Sequence, residues 1–169
     1  MADLDQYIET LQRVITDKCL VITDGELESP HPIILWVNYQ FEYLTGYTLN
    51  ELVGQSPRIL QGPKTDRATL DRLKKELSEG KTFDGGIINY RKDGSEFYKV
   101  WRIAPIKDKT GKTIYYFAVH QESSPENYKE TLKNIIELQQ DILSKLNASA
   151  IVQQNIISTL DSMAEKKPV

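Results

Sequence analysis

The chain has 169 residues, 40% hydrophobic and 27% charged, with a net charge of -3. These values suit a globular domain with appended elements and give no reason to expect nucleic acid or an anionic membrane as partner. No apolar run approaches the ~20 residues of a membrane span, and a single cysteine with two histidines excludes a disulfide framework and makes a structural zinc site a poor fit. The expected compartment is the cytoplasm.

The acidic, amphipathic N-terminus MADLDQYIETLQRV is no signal peptide. Its apolar positions Leu4, Tyr7, Ile8, Leu11, Val14 and Ile15 follow one helical face and predict a helix to about Ile15. Cys19–Thr23 (CLVIT) and Ile33–Val37 (IILWV) read as short strands, the first closed by the turn pair Asp24-Gly25. Asn38 is placed to cap a short helix that Gly46 ends, and TLNELVG adds another helical turn. Thr65–Leu77 carries an apolar stripe at Ala68, Leu70, Leu73 and Leu77, the mark of a helix. Phe83–Arg91 and Glu96–Ile106 flank RKDG, a hairpin signal, and DKTGK leads into the strand Thr113–Gln121. The order β-β-α-α-α-β-β-β predicts an α+β fold: a five-stranded antiparallel sheet with helices on one face.

From Pro125 onward the chain contains no glycine and follows a three-four spacing through Leu132, Ile135, Ile142, Leu146, Ile156, Leu160 and Met163. That is a coiled-coil seam broken by the polar Gln139, Ser149 and Gln153. The expected organisation is an N-terminal cap helix over 1–18, a core over 19–123 and a C-terminal helix over 124–169. The region has no histidine for phosphotransfer. Nor does the chain show a nucleophile–base pair or a nucleotide-triphosphate loop, so a non-enzymatic module is expected.

The blocks TDGELESPHPIILWVNYQFEYLTGYTLNELVG, GQSPRILQGPKTDRATL, NYRKDGSEFY and APIKDKTGKTIYYFAV resemble successive parts of a PAS domain of the light-oxygen-voltage (LOV) type, over about residues 19–122. The resemblance implies an FMN-binding sensor that forms a flavin–cysteine adduct in blue light and signals through its sheet to flanking helices. It implies that Arg58 pairs with the flavin phosphate, with Gln61 beside it. Lys74 stands where a second phosphate-binding cation is expected, and Asn89 where an asparagine bonds the ring edge. FAD, or no cofactor at all, are the alternatives to FMN.

Other positions depart from the family pattern. Pro57 stands where the adduct cysteine belongs and Ser56 replaces an asparagine. Pro57 either marks lost photochemistry or only presets a turn. Lys99 replaces the second ring-binding asparagine, so it needs a nearby anion or a path to solvent. Trp101 replaces a phenylalanine, and His120 replaces the glutamine that relays the signal. Each of those two is a ligand contact or a core residue. Cys19 is either a substitute thiol or a small core hydrophobe. Two readings follow: a flavin sensor responding to light or redox state without the adduct, with Trp36, Trp101 and tyrosines as electron donors, or a cofactor-free PAS dimerisation scaffold. The resemblance implies a homodimer through the terminal helices, a seam that the polar breaks keep adjustable, and output to a separate effector.

Overall fold

The computed structural model describes residues 4–164, and their side chains except at 148–154 and 164. The described residues form two compact units, one of Ile15–Gln139 and the other combining residues 4–14 and 140–164.

In the larger unit the elements are β1 (Cys19–Asp24), β2 (Ile34–Val37), α2 (Tyr39–Thr45), α3 (Leu49–Leu52), a 3-10 turn (Pro57–Leu60), α4 (Arg67–Ser78), β3 (Phe83–Tyr90), β4 (Glu96–Lys107), β5 (Thr113–Ser123) and the first turns of α5 (Tyr128–Ala164). Helix α1 (Leu4–Gln12) belongs to the smaller unit. The sheet has the order β2-β1-β5-β4-β3, and every neighbouring pair is antiparallel. The two chain halves thus meet at β1–β5, in the middle of the sheet.

Local chemistry fixes the joints. Asn38 Oδ1 accepts from Phe41 N at 3.2 Å, capping α2, and from Leu20 N at 2.9 Å, while its Nδ2 donates to the Lys18 carbonyl at 2.9 Å. One side chain therefore ties the helix start to β1. Gly46 ends α2 at φ 76°, a left-handed conformation that favours glycine. Thr48 and Glu51 form a reciprocal capping box on α3. Asp66 accepts from Thr69 N at 3.0 Å, so α4 starts at Arg67 rather than at the expected Thr65.

Strand alternation divides the sheet into two faces. One carries Cys19, Val21, Ile87, Trp101, Tyr116 and Ala118, which are buried in two apolar clusters with Phe41, Leu52, Leu60 and Leu77 from the helices and the 3-10 turn. Burying each large apolar side chain stabilises the fold by about 1.5–3 kcal/mol. The first turns of α5 come over the opposite face: a Cβ on Gly86 would lie 3.2 Å from Tyr128.

Gln139 differs from its expected role. It is 1% exposed and donates through Nε2 to the carbonyls of Arg102 (3.1 Å) and Phe117 (3.0 Å). It is an anchor on its own sheet, not a polar break in an interchain seam. The side chains of Ser149 and Gln153 lie outside the described residues.

In the smaller unit α1 stops at Gln12, short of the expected end; Ile15, the first residue of the larger unit, is fully exposed. Tyr7 and Leu11 are buried on α1, as are Ile142 and Leu146 on the distal part of α5. Ile156, Ile157, Leu160 and Met163 are exposed.

Candidate functional site

Between the helices and the inner sheet face lies a cavity of about 260 Å3, many times the ~10–15 Å3 that admits one water. Arg58, Gln61, Lys74, Asn89, Lys99, Trp101 and His120, scattered over the sequence, all line it. The two ends of the cavity differ. Arg58, Arg67, Asp71 and Lys74 are exposed at one end, while Asn89, Lys99, Trp101 and His120 are buried at the other.

The exposed rim is cationic with acidic company. Arg58 Nη1 donates to the His31 carbonyl at 3.0 Å and to Ser56 Oγ at 3.3 Å. The His31 ring is in turn held by the Asp24 carboxylate. Lys74 has Glu28 3.8 Å away. Arg67 donates to Gln61 Oε1 at 3.3 Å, so the expected glutamine is oriented by an arginine that the sequence reading missed. The signal was there: Arg67, Leu70, Asp71, Lys74 and Leu77 all line the cavity at the spacing of one face of α4.

The buried end holds polar groups with few partners. Asn89 is 1% exposed and its Nδ2 donates to the Ile88 carbonyl at 3.2 Å. Lys99, 6% exposed, follows neither expected course. Among the described residues it meets no anion, and it stays buried rather than extending to solvent; its Nζ lies 4.4 Å from the centre of the Trp101 ring. Burial pulls its pKa down to about 7. Burial, and secondarily Lys99, hold His120 well below the usual imidazole range. His120 Nδ1 is buried with no hydrogen-bond partner among the described residues, and its ring stands edge-on to Phe41 with centroids 5.5 Å apart.

Trp101 leaves the cavity open because it packs sideways against Phe83, centroids 4.9 Å apart. Gly85 makes that possible: a Cβ there would sit 2.5 Å from the Phe83 ring. Trp36, 7% exposed on β2, is not among the lining residues. Cys19 pairs in register with His120 but does not line the cavity. It belongs to the apolar core, and burial pushes its thiol up to about 12. No cluster of three or more potential metal ligands exists among the described residues, and no helix among them is long and apolar enough to cross a membrane.

A PAS domain family model matches residues 17–125. Phototropin-2 of Oryza sativa subsp. japonica is 33% identical over 145 residues, covering 84% of this chain and 15% of its own length. The blue-light photoreceptor of Listeria innocua is 34% identical over 122 residues, covering 71% of this chain and 47% of its own length. The chain thus spans less than half of either relative. A structure solved in work on a flavin analogue and the LOV domain mechanism superposes with a TM-score of 0.63 at 34% identity, over 78% of this chain and 92% of the other. The dark structure of the Aureochrome1 LOV photoreceptor gives a TM-score of 0.62 at 29% identity, over 79% and 91%.

Proposed function

The chain belongs to the PAS domain family, in its LOV branch, and from that premise we propose that it is a sensory module that holds a flavin and signals without a cysteinyl adduct. The observation that carries this reading is the gathering of the expected phosphate and ring contacts on one cavity, cations at its open end and amide, amine and imidazole at its closed end. Arg58, Arg67 and Lys74 would hold a phosphate by charge-assisted hydrogen bonds. Asn89, Lys99 and His120 offer donors and acceptors to a ring edge, and Leu60, Ile103 and Ala118 offer apolar walls. A bound flavin supplies blue absorption and the capacity to accept electrons. FMN, with its single phosphate, suits the rim better than a flavin with no anion.

Pro57 stands on the 3-10 turn at the rim and offers no nucleophile. The chain's one cysteine, Cys19, is kept protonated by burial and lies off the cavity. His120 would instead answer a change in the guest through its free Nδ1. Its strand runs on to Ser123, whose hydroxyl is 2.7 Å from that of Thr131 on α5, giving a route to the long helix. The exposed stripe of Ile156, Leu160 and Met163 would pair with a second copy, and output would pass to a separate effector protein, this chain itself being no enzyme.

The purified full chain, incubated with FMN, should turn yellow, absorb in the blue, and show no thiol-adduct bleaching on illumination. At a hundredfold excess over its dissociation constant, FMN should add about 2.7 kcal/mol of stability. A colourless protein with unchanged stability would reject the reading in favour of the cofactor-free scaffold. The contact that favours that second reading is the placement of Lys99 over Trp101, which gives the buried cation a partner with no guest present.

A further inference from the structure

Lys99 on β4 faces Glu122 on β5 across the ladder, and alternation puts both side chains on the same face of the sheet. A carboxylate in that position is the natural partner of an ammonium. Here Glu122 is taken by Arg91 at 2.6 Å and stays half exposed, which leaves the Lys99 amine to the Trp101 ring.

The other groups near Lys99 do not compensate its charge. Cys19, from β1, keeps its proton through burial. His120, from β5, is kept neutral by burial and by Lys99 itself. Of the remaining charged residues of the cavity, Arg58, Arg67 and Lys74 are cations and Asp71 is the one acid, all exposed at the open end. A lysine that is buried, lacks a counter-ion and faces a cavity carries a large share of free-base amine near neutral pH, the form that attacks carbonyl carbon.

We propose that Lys99 is a covalent attachment site for a small aromatic aldehyde bearing an anionic group, held in the cavity as an imine. In that reaction the amine nitrogen adds to the carbonyl carbon and the carbon–oxygen bond breaks. The oxygen leaves as water, carrying both amine protons, and nothing is oxidised or reduced. The rim cations Arg58, Arg67 and Lys74 take the anionic group, and the apolar part of the lining holds the ring. The assignment needs only the cavity and the amine and stands independently of flavin; each guest would exclude the other from the same space.

The test uses pyridoxal 5'-phosphate as probe on the full chain, dialysed free of small ligands. The probe is added below stoichiometry, the imine is trapped with borohydride, and the modified peptides are mapped by mass spectrometry. Lys99 should be labelled roughly tenfold or more faster than exposed lysines such as Lys64 and Lys81, because an ordinary lysine, with a pKa near 10.4, is almost wholly protonated. 5'-Deoxypyridoxal, which lacks the phosphate and cannot close to a hemiacetal, should lose rate at Lys99 but not at the exposed sites. Lys99→Arg should abolish the fast phase and keep the slow one. Labelling spread over exposed lysines with Lys99 unmodified would overturn the assignment, and equal rates at Lys99 with and without the phosphate would overturn the role of the rim.

Discussion

Gln139 on α5 and Phe117 on β5 are joined by a hydrogen bond of 3.0 Å from the side-chain amide to the backbone carbonyl. The same amide nitrogen also reaches Arg102 on the neighbouring strand. A helix that leaves the sheet at Ser123 is thereby pinned back onto it near the end of its third turn. Gln139→Ala should cost about 1–2 kcal/mol of stability, since it removes buried hydrogen bonds and leaves a small void. It should also speed amide exchange along the first turns of α5 more than in β4 and β5. Uniform exchange across all three would show that the amide is no anchor.

Lys99 and His120 shape stability against pH in distinct windows. The folded chain holds Lys99 near 7 instead of the usual 10.5. Between those values the unfolded state carries a proton that the folded state lacks, so stability rises with pH through this window and levels off below about 7. Lys99→Met removes that dependence. In denaturant titrations, the wild-type curve should gain on the variant's by up to about 1.4 kcal/mol per pH unit. Parallel curves between pH 7 and 10 would refute the buried amine. His120, held well below 6.5, adds a loss of stability as pH falls below 6.5, which His120→Leu should abolish.

If the rim holds a phosphate, as proposed, it should distinguish phosphate-bearing from phosphate-free guests. Arg58→Ala and Arg67→Ala should each weaken FMN about tenfold, by the loss of a charge-assisted hydrogen bond, and leave riboflavin nearly unchanged. Asp71→Asn, which removes the acid from the same rim, should tighten FMN. Equal effects on both flavins, measured by fluorescence titration, would mean the phosphate docks elsewhere.

Gly85→Ala should shrink the cavity. The added methyl would press on Phe83 at 2.5 Å and on Trp101 at 3.2 Å, and the room available to the indole is toward the cavity that it lines. Overpacking of this kind costs about 1–3 kcal/mol, and flavin affinity should fall with it. A destabilised variant with full affinity would show that the indole moves elsewhere.

Leu160→Asp places a charge in the exposed stripe of distal α5. If the stripe pairs two copies, sedimentation should shift from dimer to monomer while the β-sheet circular dichroism stays the same. A dimer that survives the substitution would place the contact elsewhere.

The strands and their succession along the chain were legible because period-2 runs and the turns RKDG and DKTGK punctuate them, and Gly94 and Gly111 do adopt positive φ. The cavity residues were legible only through the family resemblance, since they come from the 3-10 turn, α4, β3, β4 and β5, and no local pattern joins them. What the sequence hid was partner choice. Nothing in the order of residues shows that Glu122 turns to Arg91, that Lys99 therefore lies over Trp101, or that Gln139 faces its own sheet. Those outcomes depend on which of several side chains within reach wins a contact. Helix ends were missed for a similar reason: apolar spacing continued to Ile15, but spacing alone could not show that this residue stays exposed.

The lopsided cavity has a kinetic corollary. A guest with a flat body and a charged tail must go in body first and fasten its tail last. The outer cations would then act as a latch, open to solvent and weakened by salt, whereas contacts at the buried lining would be indifferent to it. Raising ionic strength should therefore hasten escape and slow capture, yet leave unchanged whatever colour or pH response the seated guest displays.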